Sequence, residues 1–273
     1  SQSIAIKAQR WMREDVNLVP NDNEIYYTTI DGNAAILTST EGFGANFQTN
    51  LYDRKKGVFV LGFDGEITAV GSQAFKTSSS NTNTTLIQVK LVMLPNSIKS
   101  IGKEAFGGAR GITHFRLSDN LVSIGQSAFD NCHGLIEITI PESVTEVGKD
   151  AFSYCSKLER FYGKFASKDN CCLIVDGVLQ RTVAIFPQKE YTLSEEVKWL
   201  GEGCIYIKQS GFTLSIPDSV EGLDKGAQTV TESSSQIQAL KGKFIVDSRS
   251  MVVDGVLCGV AGYKLTKYQI PDD

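Results

Sequence analysis

The chain of 273 residues carries 27 basic and 31 acidic side chains, which gives a formal net charge of −4. A weakly acidic chain without clustered Lys and Arg is not expected to form a nucleic-acid-binding surface. No apolar run approaches the ~18 residues of a membrane-spanning helix, so no transmembrane segment is expected. The start, SQSIAIKAQR, lacks the apolar core of a signal peptide, so any export signal or anchor is expected to lie outside this chain.

Residues 1–50 are predicted to form a β-rich N-terminal cap, and residues 51–273 are predicted to form one repeat domain. The stretch FVLGFDGEI from Phe59 has the form of a strand followed by a turn, so it is interpreted as a first, weaker unit. The next unit opens with VGSQAF at Val70. The polar stretch KTSSSNTNTT from Lys76 then predicts a protruding loop.

Regular copies of one pattern follow this loop. They start at Ile101, Ile124 and Val147, with 23 residues between successive starts, and a fourth full copy starts at Leu200. A period in this range is typical of a solenoid, in which each unit buries its apolar side only against its neighbours. We therefore expect that no single unit folds alone.

The copy from Ile124 predicts which positions are buried. Its residues Leu135, Ile138 and Ile140 have the spacing of a leucine-rich repeat strand, in which alternate side chains enter the core. Pro141 marks the end of this strand because proline cannot donate a ladder hydrogen bond. One short helical turn is expected to bury the Ala-Phe pair that recurs in each copy. The predicted core positions here are Ile138, Ile140, Val147, Ala151 and Phe152.

The region after the third copy is itself duplicated. FYGKFASKDNCCLIVDGVL from Phe161 matches LKGKFIVDSRSMVVDGVL from Leu240, and each leads to a further strand, at Tyr191 and at Tyr268. The Asp-Gly pair in each copy is a hairpin signal. The predicted hairpin insertions into the solenoid lie near residues 163–190 and 242–267.

The pattern I-G-x-x-A-F-x-x-C-x-x-L-x-x-I-x-I-P-x-x-V resembles the BspA-like, Treponema pallidum-type leucine-rich repeats of bacterial cell-surface proteins. The segment from Phe161 and the entry IYYTTIDGN from Ile25 are similar to segments of Bacteroides members of that family. The resemblance implies an α/β, β-rich leucine-rich repeat solenoid, a right-handed superhelix of ~23-residue repeats with inserted β-hairpins. The chain departs from the phenylalanine of the pattern at Gln228 and from its cysteine at Ala109, Lys208 and Thr231.

The six cysteines do not indicate a disulfide framework. Cys132 and Cys155 occupy one slot of successive repeats, where leucine-rich repeats place Asn or Cys against backbone groups, so both are predicted to be buried free thiols. Cys171 and Cys172 are adjacent, and adjacent cysteines rarely bond to each other without strain. A bridge from either of them to Cys258 is left open. Adjacent cysteines also lack the spacing of zinc ligands, so no metal site is expected.

No group of residues indicates catalysis. His133 directly follows Cys132, whereas a catalytic Cys-His pair usually joins distant segments, so His133 is interpreted as a surface residue. The other histidine, His114, falls at an outward strand position. Asp176 and Asp254 lie in the predicted hairpin turns, where aspartate is structural. The protein is therefore predicted not to be an enzyme and to use no cofactor.

Alternate strand positions are predicted to form an outward row on the concave face of the solenoid. Solenoids bind partners on such faces, and apolar groups beside Arg and Tyr are typical of protein-binding patches. For Leu91 and Met93 an alternative is open, in which the polar loop or the N-terminal segment covers them. The predicted partner-binding residues are Leu91, Met93, His114, Arg116, Glu137, Thr139, Arg160 and Tyr162.

These features, with the resemblance, predict a cell-surface or secreted, adhesin-like protein that binds a macromolecular partner, a host extracellular protein. Fold does not fix function, and two alternatives stay open. One is a glycan-binding module for polysaccharide capture, with Tyr162, Trp11 and Trp199 as aromatic platforms. The other is a structural spacer within a larger surface protein. The chain is expected to be a monomer located outside the cell, at the outer membrane.

Overall fold

The computed structural model describes residues 12–77, 84–227, 230–231 and 236–260 of the chain. The chain divides into two compact units, Ser1–Cys155 and Ser156–Asp273. Three features of the sequence lie wholly or mostly outside the described residues: the strand expected from Tyr268, the departure at Gln228 and the polar loop that follows Lys76.

The first unit is built almost entirely of strands, and the helix among its described residues is one 3-10 turn, Leu86–Gln88. Its strands are β1 (Glu24–Thr29), β2 (Phe47–Asp53), β3 (Val58–Phe63), β4 (Ala69–Val70), β5 (Val89–Met93), β6 (Ser100–Ile101), β7 (His114–Arg116), β8 (Ser123–Ile124), β9 (Glu137–Ile140) and β10 (Glu146–Val147).

A five-stranded sheet joins the N-terminal segment to the repeats, in the order β2-β3-β1-β5-β7. Strand β1 lies antiparallel to both β3 and β5, whereas β5 and β7 are parallel as in a solenoid. The interpretation of FVLGFDGEI from Phe59 as a first repeat is therefore wrong. A short connection makes β3 the hairpin partner of β2, and β1 separates it from the repeat strands. The predicted boundary at residue 50 falls inside β2.

The short strands β4, β6, β8 and β10 form a second, parallel sheet with one constant register. Val70, Ile101 and Ile124 are paired along it and are buried. Val147 continues the register at the end of this sheet. It is half-buried rather than buried, so the prediction for this position is wrong, whereas Ile138, Ile140, Ala151 and Phe152 lie in the core as predicted.

The Ala-Phe segments form non-helical turns, contrary to the helical turn that the sequence predicts. The residue before each alanine has a left-handed backbone, with φ of 54° at both Glu104 and Ser127. Such a residue interrupts any right-handed helix. The turn instead donates its N–H groups to the next repeat. Phe106 N donates to Ala128 O at 2.8 Å, and Phe129 N donates to Ala151 O at 2.8 Å.

The phenylalanines of these turns form a continuous stack through the core. Phe106 lies 4.8 Å from Phe75 and 5.4 Å from Phe129, between ring centroids. Phe129 in turn lies 5.2 Å from Phe152, with the two rings inclined by only 5°. Phe115 of β7 packs edge-on against this stack. Phe106 and Phe129 thus each stack between the rings of the preceding and following repeats.

The glycine of the I-G pair is required by the distance between neighbouring repeats. A Cβ atom on Gly125 would lie 2.7 Å from the carbonyl oxygen of Ile101, and one on Gly148 would lie 2.5 Å from the backbone nitrogen of Gln126. These separations are too short for a Cβ contact. A side chain at either glycine would therefore push successive repeats apart.

The second unit repeats the solenoid arrangement with two hairpins. Parallel pairing runs along β14-β16-β18 and along β13-β15-β17. Its strands are β11 (Arg160–Gly163), β12 (Cys172–Val175), β13 (Val178–Thr182), β14 (Glu190–Thr192), β15 (Trp199–Leu200), β16 (Phe212–Ile216), β17 (Gly222–Leu223), β18 (Ile237–Gly242), β19 (Ile245–Asp247), β20 (Ser250–Val253) and β21 (Val256–Val260).

Both hairpins close on the Asp-Gly pairs that the sequence singles out. Asp176 and Gly177 have φ of 51° and 79°, and Asp254 and Gly255 have φ of 49° and 76°. Two successive positive φ values are typical of a type I′ turn. The hairpin β12–β13 does not stand apart from the solenoid, because β13 pairs in parallel with β15. Its second strand thus takes the place of a short strand in the repeat.

We expect Phe129→Ala to lower the free energy of unfolding by about 3–5 kcal/mol, the usual loss for a buried phenylalanine. Phe129 is fully buried and stacked on both faces, so truncation leaves a cavity between two repeats. Urea unfolding measures the change. Ile36→Ala, at a side chain that is 66% exposed, is the control. A loss below about 1 kcal/mol for Phe129→Ala would contradict the stacked core.

Candidate partner-binding face

Strands β7 and β9 carry the predicted outward row of the first unit. Phe115, Ile138 and Ile140 point into the core and are buried. The residues that alternate with them are exposed or half-buried, as the period-2 geometry of a strand requires. We call the outward side chains of these two strands the outward face. It consists of His114, Arg116, Glu137 and Thr139.

Leu91 and Met93 are not part of this face. Both are buried, with 1% and 0% of their surface exposed, so their prediction as partner-binding residues is wrong. Met93 packs with Tyr26 and Val58 in a cluster that the partly buried Val16 and Leu18 adjoin. The alternative that the N-terminal segment covers this position is therefore confirmed for Met93. Leu91 lies opposite Thr28 of β1 in the same sheet.

Arg116 has a structural role that its outward position does not reveal. Its guanidinium donates to Leu94 O at 2.8 Å and to Asn96 Oδ1 at 3.1 Å, so it ties its own repeat to the preceding one. It also pairs with Asp119 at 3.1 Å, and only 15% of the Arg116 side chain is exposed. These contacts leave little of the guanidinium for a partner.

His114 and Glu137 are neighbours on adjacent strands. Their Nε2 and Oε1 atoms lie 4.0 Å apart, and 37% and 44% of the two side chains are exposed. Nδ1 of His114 lies 3.0 Å from Thr113 Oγ1, which orients the ring. With the exposed Thr139, these side chains give the outward face its accessible polar groups.

The acidic residues that follow the outward strands were not predicted from the sequence as part of this surface. Asp119 forms an ion pair with Arg116 and keeps 71% of its side chain exposed. Glu142 is exposed in the next repeat. The two lie 23 residues apart, as does Asn96 before them. This spacing is visible in the sequence, but only the structure shows that Asn96 and Asp119 both bind Arg116.

Arg160 and Tyr162 lie on β11, in the second unit. Both are half-buried, and Phe161 between them is buried, so the predicted alternation holds on this strand. Arg160 Nη1 donates to Glu159 O at 2.6 Å. Their role in binding stays a prediction.

The second unit also presents an exposed aromatic ring at Trp199. Its side chain is 39% exposed, the largest exposed aromatic surface among the described residues. The ring lies over Gly222, where a Cβ atom would approach it to 3.3 Å. Glycine at this position therefore leaves room for the indole beside the neighbouring strand. Trp11 lies outside the described residues.

All six cysteines are free and buried, so the bridge to Cys258 that the sequence left open is not formed. The thiols of Cys132 and Cys155 donate to the carbonyl oxygens of Phe106 and Phe129, each at 3.2 Å. The predicted slot for both is confirmed. Burial raises the pKa of the Cys132 thiol well above its usual range and that of Cys172 to about 12. None of these groups is poised as a thiolate nucleophile.

Among residues 12–77, 84–227, 230–231 and 236–260, no group of three or more His, Cys, Asp and Glu side chains is arranged to hold a metal ion. In the same part of the chain, no helix has the length and apolar character to cross a membrane. Asp176 and Asp254 lie at the hairpin turns described above, so their structural assignment is confirmed.

Comparison with known proteins points to one repeat family. Residues 68–168 match the model of the BspA type leucine-rich repeat region, in six copies. A solved leucine-rich repeat protein of T. pallidum is 25% identical, with 56% of this chain and 68% of that one covered and a TM-score of 0.35. A leucine-rich repeat protein of Bacteroides ovatus is 18% identical over 70% and 58% of the two chains, with a TM-score of 0.36. The pneumococcal vaccine antigen PcpA is 19% identical over 64% and 56%, with a TM-score of 0.35. No curated protein matches the chain.

We expect Arg116→Ala to lower the free energy of unfolding by about 1–3 kcal/mol, because it removes charge-assisted bonds and leaves Leu94 O without this donor. The sequence alone predicts no loss of stability at this position. Chemical unfolding of Arg116→Ala beside Lys103→Ala, an exposed cation on the Ala-Phe turn, measures the difference. Equal stability of the two variants would show that the guanidinium contacts contribute nothing.

We expect Cys132 and Cys155 to react slowly with iodoacetamide in the folded protein, because both thiols are buried, and burial raises the pKa of Cys132 well above its usual range. All six cysteines should react after unfolding in urea without reductant. Mass spectrometry of the alkylated peptides measures both states. A cysteine that stays unlabelled after unfolding would show a disulfide and contradict this arrangement.

Proposed function

Because residues 68–168 match the BspA-type leucine-rich repeats, we propose that the protein is a non-enzymatic surface or secreted protein that binds a macromolecular partner, a host extracellular protein. The outward face of β7 and β9 is the proposed contact surface. Its location outside the cell is proposed because bacterial cell-surface proteins carry such repeats.

One observation supports this surface above others. His114, Glu137 and Thr139 project from strands whose inward side chains are fully packed and whose backbones are fixed by neighbouring repeats. Side chains on such a support lose little conformational freedom on binding. Preorganisation of this kind reduces the entropic cost of association. The face is thus rigid and also accessible.

The charges on the face indicate what kind of partner segment fits. Glu137 keeps 44% of its side chain exposed and Glu142 is exposed, whereas the charges of Arg116 and Asp119 match each other. Complementary charges steer association and exclude wrong partners. We therefore propose that the partner presents Lys or Arg, together with hydrogen-bond donors, to this face.

We expect the double substitution Glu137→Ala and Thr139→Ala to weaken partner binding by about tenfold or more, since it removes exposed contacts at the centre of the face. Proteins captured by the full chain from extracellular-matrix and mucus extracts would be identified by mass spectrometry. Their affinities for the variants would then be measured by surface plasmon resonance. Lys103→Ala with Arg110→Ala, both exposed near the Ala-Phe turns, is the matched control.

Equal weakening by the control pair would contradict the outward face as the contact surface. It would assign recognition to the turn side of the first unit. Unfolding measurements on both double variants separate loss of binding from loss of structure.

A second candidate function, glycan binding, is favoured by Trp199. An exposed indole beside Gly222 offers an apolar surface on which a sugar ring can stack. A glycan array probed with the full chain and with Trp199→Ala distinguishes the two candidates. Glycan binding that Trp199→Ala abolishes would favour this function over recognition of a protein.

A further inference from the structure

Strand β2 forms an outer edge of the five-stranded sheet. One side of it pairs with β3, from Thr49 opposite Gly62 to Asp53 opposite Val58. Within the part of the chain that the structure describes, no strand pairs with its other side. In an antiparallel ladder, alternate residues direct their N–H and C=O groups to that side. The edge therefore presents a row of unpaired backbone donors and acceptors.

This edge lacks the usual protection against strand pairing. Natural edge strands carry lysine, proline, inward charges or bulges that block a second strand. The run FQTNLY from Phe47 to Tyr52 contains no charged residue and no proline. A register shift between Phe47 and Thr49 still leaves five regular pairs, Thr49 to Asp53. In the middle of these, Leu51 is 66% exposed.

The edge is held in a fixed conformation. Tyr27 Oη donates to Asn50 Oδ1 at 2.7 Å, and Asn50 Nδ2 donates to Ala35 O at 2.7 Å. The ring of Tyr52 packs against Phe59 with a centroid separation of 5.3 Å. These contacts anchor β2 on the side opposite Leu51. An incoming strand would thus meet a ladder that is already ordered, which lowers the entropic cost of pairing.

The occupant that fits this edge best is a second copy of the same strand. Antiparallel pairing about a twofold axis at Leu51 would place the two exposed leucines against each other, and Thr49 opposite Asp53 of the other copy. No like charges would be opposed. The exposed Lys55 of one copy would lie near the Asn46–Asp64 corner of the other, where the Asp64 carboxylate is exposed. The edge is therefore complementary to itself in shape and in charge.

We propose that two copies of this chain pair antiparallel through β2, to form a twofold-symmetric dimer with a continuous ten-stranded sheet, five strands from each copy. A contact of this kind is isologous, so it closes at two copies. It replaces the monomer that the sequence predicts. The proposal is independent of the outward face, and its failure would leave the proposed function unchanged.

Sedimentation velocity of the full chain over a concentration series tests the pairing. Two short strands bury less than a standard interface, so we expect a reversible monomer–dimer equilibrium. Leu51→Lys should raise the dissociation constant by about tenfold or more, because it places like charges at the twofold axis and removes the apolar contact. Ile36→Lys, at an equally exposed side chain outside any strand, should leave it unchanged.

Cross-linking tests the register. Leu51→Cys should give a disulfide-linked dimer under mild oxidation with copper phenanthroline, whereas Ile36→Cys should stay monomeric. The native thiols are buried and so interfere little. A chain that stays monomeric throughout the series would overturn the proposal. So would a dimer that Leu51→Lys leaves intact, because it would use another surface.

Discussion

The structure depends on one interaction, the backbone hydrogen bonds that pass from each Ala-Phe turn to the next repeat. Alternate N–H groups of one turn donate to carbonyls of the next turn: Glu104, Phe106 and Gly108 donate to Gln126, Ala128 and Asp130. These bonds require successive turns to lie close together, and this explains the glycines at which a Cβ atom would collide with the previous repeat. They also require the left-handed residue before each alanine. An insertion inside a turn would break this pattern, whereas an insertion between turns is tolerated, since Phe75 N still donates to Ala105 O across the longer repeat that starts at Val70.

The stacked phenylalanines and the buried cysteines follow from the same spacing. When turns repeat at a fixed distance, side chains at equivalent positions meet face to face, and rings of one size fill the space between them. The thiols of Cys132 and Cys155 add a second donor to carbonyl oxygens of the preceding repeat that already accept a backbone N–H, Phe106 O from Ala109 and Phe129 O from Cys132. Both thiols are buried in the core, and this burial raises the pKa of Cys132.

The repeated parts of the fold could be predicted from the sequence, because each copy shows the same alternation of core and outward positions. Ile138 and Ile140 are buried and Thr139 is exposed as the period-2 pattern requires. Leu91 and Met93 obey the same pattern, yet they are buried, because β1 pairs with β5 and the segment of Val16 and Leu18 packs nearby. The repeat pattern contains no signal for the antiparallel strand β1. The prediction of a helical turn at the Ala-Phe pair is wrong for a related reason. The pair is compatible with a helix, and only the contact with the next repeat selects a left-handed backbone at the residue before the alanine.

For the candidate site, too, the local pattern predicts one property and long-range contacts decide another. The pattern identifies which side chains point away from the core. How much of each side chain stays exposed to solvent depends on its contacts with the neighbouring repeat. Arg116 and Glu137 occupy outward positions in successive repeats, yet the first is held by Leu94 O, Asn96 and Asp119, whereas the second keeps nearly half of its side chain in solvent. The difference arises because Asn96 and Asp119 lie at the ends of two successive strands, and only the stacking brings both to one guanidinium. Accessibility in a solenoid is thus a property of a pair of repeats, because the contacts from the neighbouring repeat decide how much of an outward side chain stays in solvent.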